Sequence, residues 1–132
     1  MHPHTLTFQA DPLQIEAVHS FLDGVIQAFE LSSELAQRIR LGVTEAANNA
    51  IIHGSLSDPQ NTIVLQVNRV GSWLRISIKD QGNGFDPDII PDPTLQERLN
   101  MESGRGVFLM KQVADEVVFQ CGGREVILKF TI

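Results

Sequence analysis

With 132 residues the chain has the length of one ordinary domain, enough to bury a core and too few for two independent ones. Apolar residues are 42% and charged residues 20% of the chain, a globular balance, and no apolar run approaches the length of a bilayer span. The net charge of −6 argues against an extended nucleic-acid surface, which needs clustered Lys and Arg, and a single cysteine, Cys121, rules out an internal disulfide or a Cys-based metal cluster.

Met1-His2-Pro3-His4-Thr5 lacks the basic and then apolar regions of a secretory signal, so the expected location is the cytoplasm. His2 and His4 are expected near a mobile terminus. Thr5, Leu6, Thr7 and Phe8 alternate polar and apolar, which predicts a short first strand. Asp11-Pro12 reads as a helix cap followed by Pro at the first helical position, and Val18, Phe21, Leu22, Val25 and Phe29 recur at helical spacing. Ser32-Ser33-Glu34 opens a second helix, expected to run to His53-Gly54 and to end on the glycine, with His53 closing the helix rather than binding a ligand. Ile63, Leu65 and Val67, then Leu74, Ile76 and Ile78, alternate with polar neighbours around Gly71-Ser72, the pattern of a hairpin, with Trp73 expected to pack at its second strand's start. From Gly82 to Ser103 the pattern dissolves into Gly, Pro and Asp, and so long a loop in a small domain points to function. A third helix follows from Gly104-Arg105-Gly106, with Val107, Met110, Val113 and Ala114 on its apolar stripe. Two last strands, Val117 to Cys121 and Val126 to Ile132, turn at Gly122-Gly123. This order predicts one domain over residues 1–132, an α+β two-layer sandwich with a mixed sheet and helices on one face.

Leu41, Glu45, Asn49 and Ile52 fall at steps of four, four and three, so two polar groups share a stripe with apolar neighbours. Either Glu45 and Asn49 border solvent, or a carboxylate and an amide oxygen one turn apart hold a hard cation and a nucleophile, a pairing that suits Mg²⁺. Asp80 shares parity with Leu74, Ile76 and Ile78 and is therefore expected to point toward the helices. Either it is a half-exposed strand end capping the turn Gln81-Gly82-Asn83-Gly84, or it is buried and meets a donor from a ligand, such as an exocyclic amine. Gly82 and Gly84 permit a close approach to a flat ligand. Gly104 and Gly106 open a helix whose free N–H groups form a phosphate site, with charge added by Arg105. Neither pair completes a dinucleotide fingerprint, and there is no P-loop, so some other nucleotide fold is required.

Glu45-Ala46-Ala47-Asn48-Asn49-Ala50-Ile51-Ile52-His53-Gly54, Asp80-Gln81-Gly82-Asn83-Gly84-Phe85 and Gly104-Arg105-Gly106-Val107 resemble, in order and spacing, the asparagine box and the two glycine boxes of the GHKL (histidine-kinase-like) ATPases. The short chain, Thr44-Glu45-Ala46 and Phe108-Leu109-Met110 resemble in particular the anti-sigma factor serine/threonine-protein kinases of bacterial partner-switching systems. The resemblance implies a Bergerat ATP-binding fold with a mostly antiparallel sheet, ATP and Mg²⁺ as ligands, and residues 86–103 as the ATP lid. It implies that Asn49 coordinates Mg²⁺ and that Glu45 acts as catalytic base or orients the attacking hydroxyl. Asp80 would read adenine in a pocket shaped by Gly82, Gly84 and Phe85, while Gly104, Arg105, Gly106 and Val107 wrap the phosphates. Arg124 departs from the pattern, because many members carry Thr after the glycine of the last hairpin.

The implied activity is phosphorylation of a serine on an anti-sigma-factor antagonist of the STAS type, together with binding of a sigma factor. A homodimer through the first strand or its neighbouring helix is implied as well, with no nucleic-acid or membrane partner. The alternative is an ATP-binding partner-switch module without significant kinase activity. A sensor histidine kinase fits less well, since no phosphoacceptor helical hairpin precedes the boxes.

Overall fold

The computed structural model describes residues 4–54, 60–80 and 105–132. Strand β1 (His4–Gln9) leads into a single 3₁₀ turn, Pro12–Gln14, capped where the Asp11 carboxylate accepts the Leu13 N–H at 3.0 Å. The first turn is therefore tighter than a plain α-helix start, and helix α1 (Ile15–Ala28) follows it. Helix α2 (Ser33–Asn49) begins at Ser32, whose Oγ accepts the Leu35 N–H at 3.2 Å and satisfies one donor of the open first turn.

Helix α2 does not continue as α-helix to the expected glycine. It widens after Asn49 into a π-helical stretch, Ala50–Gly54. Strands β2 (Thr62–Val70) and β3 (Trp73–Asp80) form the expected hairpin around Gly71, whose φ of +61° is the left-handed conformation such a turn demands. A third helix, α3, spans 105–113, and strands β4 (Glu116–Gln120) and β5 (Glu125–Thr131) are joined by a turn over Cys121–Gly123.

The sheet order is β1-β2-β3-β5-β4. All four pairings are antiparallel, so among the described residues the sheet is not mixed as expected. The last strand enters beside β3 and leaves β4 at the edge. One face of the sheet supplies Phe8, Ile63, Leu65, Val67, Leu74, Ile76, Ile78, Leu128 and Phe130 to the core, where they meet Val18, Leu22 and Val25 of α1 and Ile39, Val43, Ala46 and Ala47 of α2. Such a two-layer α+β arrangement buries one face of each element against the other.

Three further expectations need correction. His4 belongs to β1, opposite Val67, and its ring meets Phe29 edge-on with centroids 5.3 Å apart, so that position is held by pairing rather than free. Leu41 and Ile52, read as the apolar part of the Glu45–Asn49 stripe, are 40% and 43% exposed, because the buried face of α2 runs through Ile39, Val43, Ala46 and Ala47 instead. Trp73 is 39% exposed at the strand start, so its packing is partial. No helix among the described residues is long and apolar enough to cross a membrane.

Candidate functional site

The end of α2, the end of β3, α3 and the β4–β5 turn meet around one pocket, part of it open to solvent. Ala46, Asn49 and Ala50 line it from α2 and the turn that follows, Ile78, Asp80, Val126 and Phe119 from the sheet floor, Met110 from α3, and Gly123 and Arg124 from the last turn. The parity argument for Asp80 holds. Its residue is 5% exposed, in line with Ile76 and Ile78, and the half-exposed alternative fails. Its backbone N–H donates to the Arg124 carbonyl at 2.8 Å, which binds the end of β3 to the last turn and places both beside the pocket.

Glu45 and Asn49 meet at the neighbouring edge, against α3. A methyl group built on Gly106 would lie 3.1 Å from Asn49 Nδ2, 3.2 Å from Asn49 Oδ1 and 3.3 Å from Glu45 Oε2. A side chain at this position would crowd both groups and force them to give by a few tenths of an ångström. Asn49 Nδ2 is buried and, among the described residues, has no hydrogen-bond partner in the chain. A buried amide left unmatched costs about 1–3 kcal/mol, so such a group needs a reason. The amide's oxygen and nitrogen exchange places by a half-turn of the side chain, and an oxygen at that position beside the Glu45 carboxylate is a hard donor set for Mg²⁺. A buried carboxylate on the floor, an orphaned amide and a glycine-backed wall fit a magnesium nucleotide.

Arg105 is exposed, Gly106 buried and Val107 half-buried at the described start of α3. Gly82, Gly84, Phe85 and Gly104, and the lid assigned to 86–103, lie outside the described residues. The structure thus brings Glu45, Asn49 and Gly106 together, and Asn49 and Asp80 line the same pocket. Sequence reasoning left Ala46, Met110 and Phe119 out of this pocket. Ala46 stands one turn before Asn49 and Met110 one turn after Gly106, and that spacing is the signal that could have found them. Arg124, read as a departure, lines the pocket, its Nε donating to the Cys121 carbonyl at 3.1 Å.

Residues 8–131 match the family model of the histidine kinase-like ATPase domain. The chain is 31% identical over 94 residues to the anti-sigma F factor of Bacillus cytotoxicus, covering 70% of this chain and 64% of that protein. It is 24% identical over 119 residues to the serine-protein kinase RsbW of Bacillus subtilis, covering 84% of this chain and 73% of the relative. The chain thus spans somewhat under two thirds of the length of the B. cytotoxicus protein. A crystal structure of the RsbU and RsbW domains of Rv1364c from Mycobacterium tuberculosis superposes with a TM-score of 0.69 at 17% identity, covering 99% of this chain and 32% of that one, a likeness of fold.

Proposed function

Because the chain belongs to the histidine kinase-like ATPase domain family, we propose that its pocket takes ATP with Mg²⁺ and that it acts as an anti-sigma factor which phosphorylates a serine on a partner protein. The observation that carries this reading is the meeting of Glu45, Asn49 and Gly106 at the edge of a pocket floored by buried Asp80. In it Asp80 receives the adenine amine, Asn49 holds the metal, and Gly104, Arg105, Gly106 and Val107 enclose the phosphates, with Gly82, Gly84 and Phe85 completing the base pocket. The bound magnesium nucleotide supplies the transferable phosphoryl group and neutralises its charge.

The chain's own residues do the rest. Glu45 orients the incoming serine hydroxyl and accepts its proton, while Gly106 and Asn49 close off the space behind that carboxylate. Arg105 adds positive charge where negative charge gathers. Anti-sigma F factors and a serine-protein kinase among the relatives support a sigma factor and a protein substrate as the two partners, the second being an antagonist of the STAS type in this reading. Residues 1–132 form a single domain in this reading, the protein works in the cytoplasm, and the edge of β1, unpaired among the described residues, serves a homodimer.

The test uses the purified protein, Mg²⁺, ATP and candidate antagonists, with phosphoserine read by mass spectrometry. Wild type is expected to label the antagonist, and Glu45→Gln to bind nucleotide normally while transferring about 10²–10⁴ times more slowly, the usual share of a general base. Nucleotide binding without any labelling by wild type would remove the kinase activity and leave an ATP-gated partner switch.

A further inference from the structure

Helices α2 and α3 lie against each other with their chains running in opposite senses. Gly42 of α2 faces the far end of α3, where a methyl group built on it would sit 3.1 Å from Val113 Cγ2. Gly106 of α3 faces Glu45 and Asn49 near the other end of α2. Each helix therefore gives up a side chain where side chains of the other pack against it, at both ends of the contact.

Arg38, one turn before Gly42, closes the end far from the pocket. Its Nε donates to the Val113 carbonyl at 2.9 Å, satisfying one of the acceptors that a helix leaves open at its last turn and placing a cation at the negative end of α3. Its Nη2 reaches Asp115 Oδ2 at 3.5 Å, and the same oxygen accepts the Thr131 N–H at 2.7 Å. The guanidinium also lies 5.8 Å from the centroid of the buried Phe130 ring. One side chain on α2 thus touches the end of α3, the turn that follows it, and β5.

We propose that Arg38 is a positioning residue: by fixing the last turn of α3 against α2 it sets how closely Gly106 approaches Glu45 and Asn49 at the other end. A helix of nine residues is a short, stiff rod of about 13 Å, so a constraint on one end limits the swing of the other. Its link to nucleotide binding rests on the function proposed above, whereas its link to α3 does not. Arg40 provides an internal comparison. It belongs to the same helix but pairs with Asp23 on α1, so it ties α2 to the other helix and leaves α3 alone.

The experiment compares wild type, Arg38→Ala, Arg38→Lys and Arg40→Ala. Hydrogen exchange of the amides in 105–113 is measured without nucleotide, and Mg²⁺-ATP affinity is then measured on the same proteins by calorimetry. Removing Arg38 is expected to speed exchange in 105–113 about tenfold and to weaken nucleotide binding by about the same factor, with lysine, which keeps the charge and one donor, falling between. Arg40→Ala is expected to leave both unchanged. Equal exchange in the Arg38 and Arg40 variants overturns the claim that Arg38 holds α3. Faster exchange with unaltered nucleotide affinity overturns the claim that α3 position governs the site. If wild type binds no nucleotide, the proposed function fails while exchange still decides the role of Arg38. Should Arg38→Ala not fold, Arg38→Lys is read alone, and exchange and affinity both equal to wild type would overturn the proposal.

Discussion

At Gly106 and Asn49 stability and function pull in opposite directions. Alanine is favoured over glycine inside a helix by about 1 kcal/mol, so Gly106→Ala should leave the thermal midpoint close to wild type. Its methyl group, however, meets Asn49 and Glu45 at 3.1–3.3 Å and must displace them. Nucleotide affinity is therefore expected to fall at least about tenfold with little change in melting, read by calorimetry beside a thermal scan. Asn49→Ala removes a buried donor that has no partner among the described residues, so it should not lower stability and is expected to raise it by up to about 1 kcal/mol in urea unfolding, while the stabilisation conferred by Mg²⁺-ATP disappears. Strand parity made the burial of Asp80 legible, since three apolar neighbours on alternate positions fix which face it takes. The fault lay with Leu41 and Ile52: steps of four and three place residues on one stripe without saying whether that stripe is the centre or the border of the buried face, and here it is the border.

Helix starts were readable because their chemistry is local. Ser32-Ser33-Glu34 marks the start of α2, and Ser32 caps it; Ser32→Ala should cost about 1 kcal/mol of stability in a denaturant titration, with nucleotide affinity unaltered because the first turn of α2 lies at the far end of the helix from the pocket. Helix ends proved harder. The β-branched Ile51 and Ile52 disfavour α-helix only slightly, so the widening to a π-helical stretch right after Asn49 depends on how the segment packs, with Ala50 and Ile51 both buried. The last hairpin turn was located from Gly122-Gly123. Cys121 also takes a left-handed φ of +55°, which no residue-type preference announces for cysteine.

For the whole molecule, periodicity and turns were enough for two layers and five strands, but not for their order. Which strand the final hairpin joins is settled by long-range pairing, and the insertion of β5 between β3 and β4 makes every neighbour antiparallel. That order matters to the pocket, because it brings the Arg124 carbonyl onto the Asp80 N–H and sets the β4–β5 turn opposite Asn49. The ends of α2 and β3, helix α3 and the last hairpin turn converge there, and the resemblance of the stretches around Asn49 and Asp80 to nucleotide-binding boxes was the sequence's most informative feature. Calorimetric titration of the wild-type chain and of Asp80→Asn with Mg²⁺-ATP tests this convergence most directly. Saturable one-site binding by wild type, weakened at least about tenfold in the variant while its fold is kept, is the predicted result. Absence of binding heat from wild type, or equal affinity in both proteins, would contradict it.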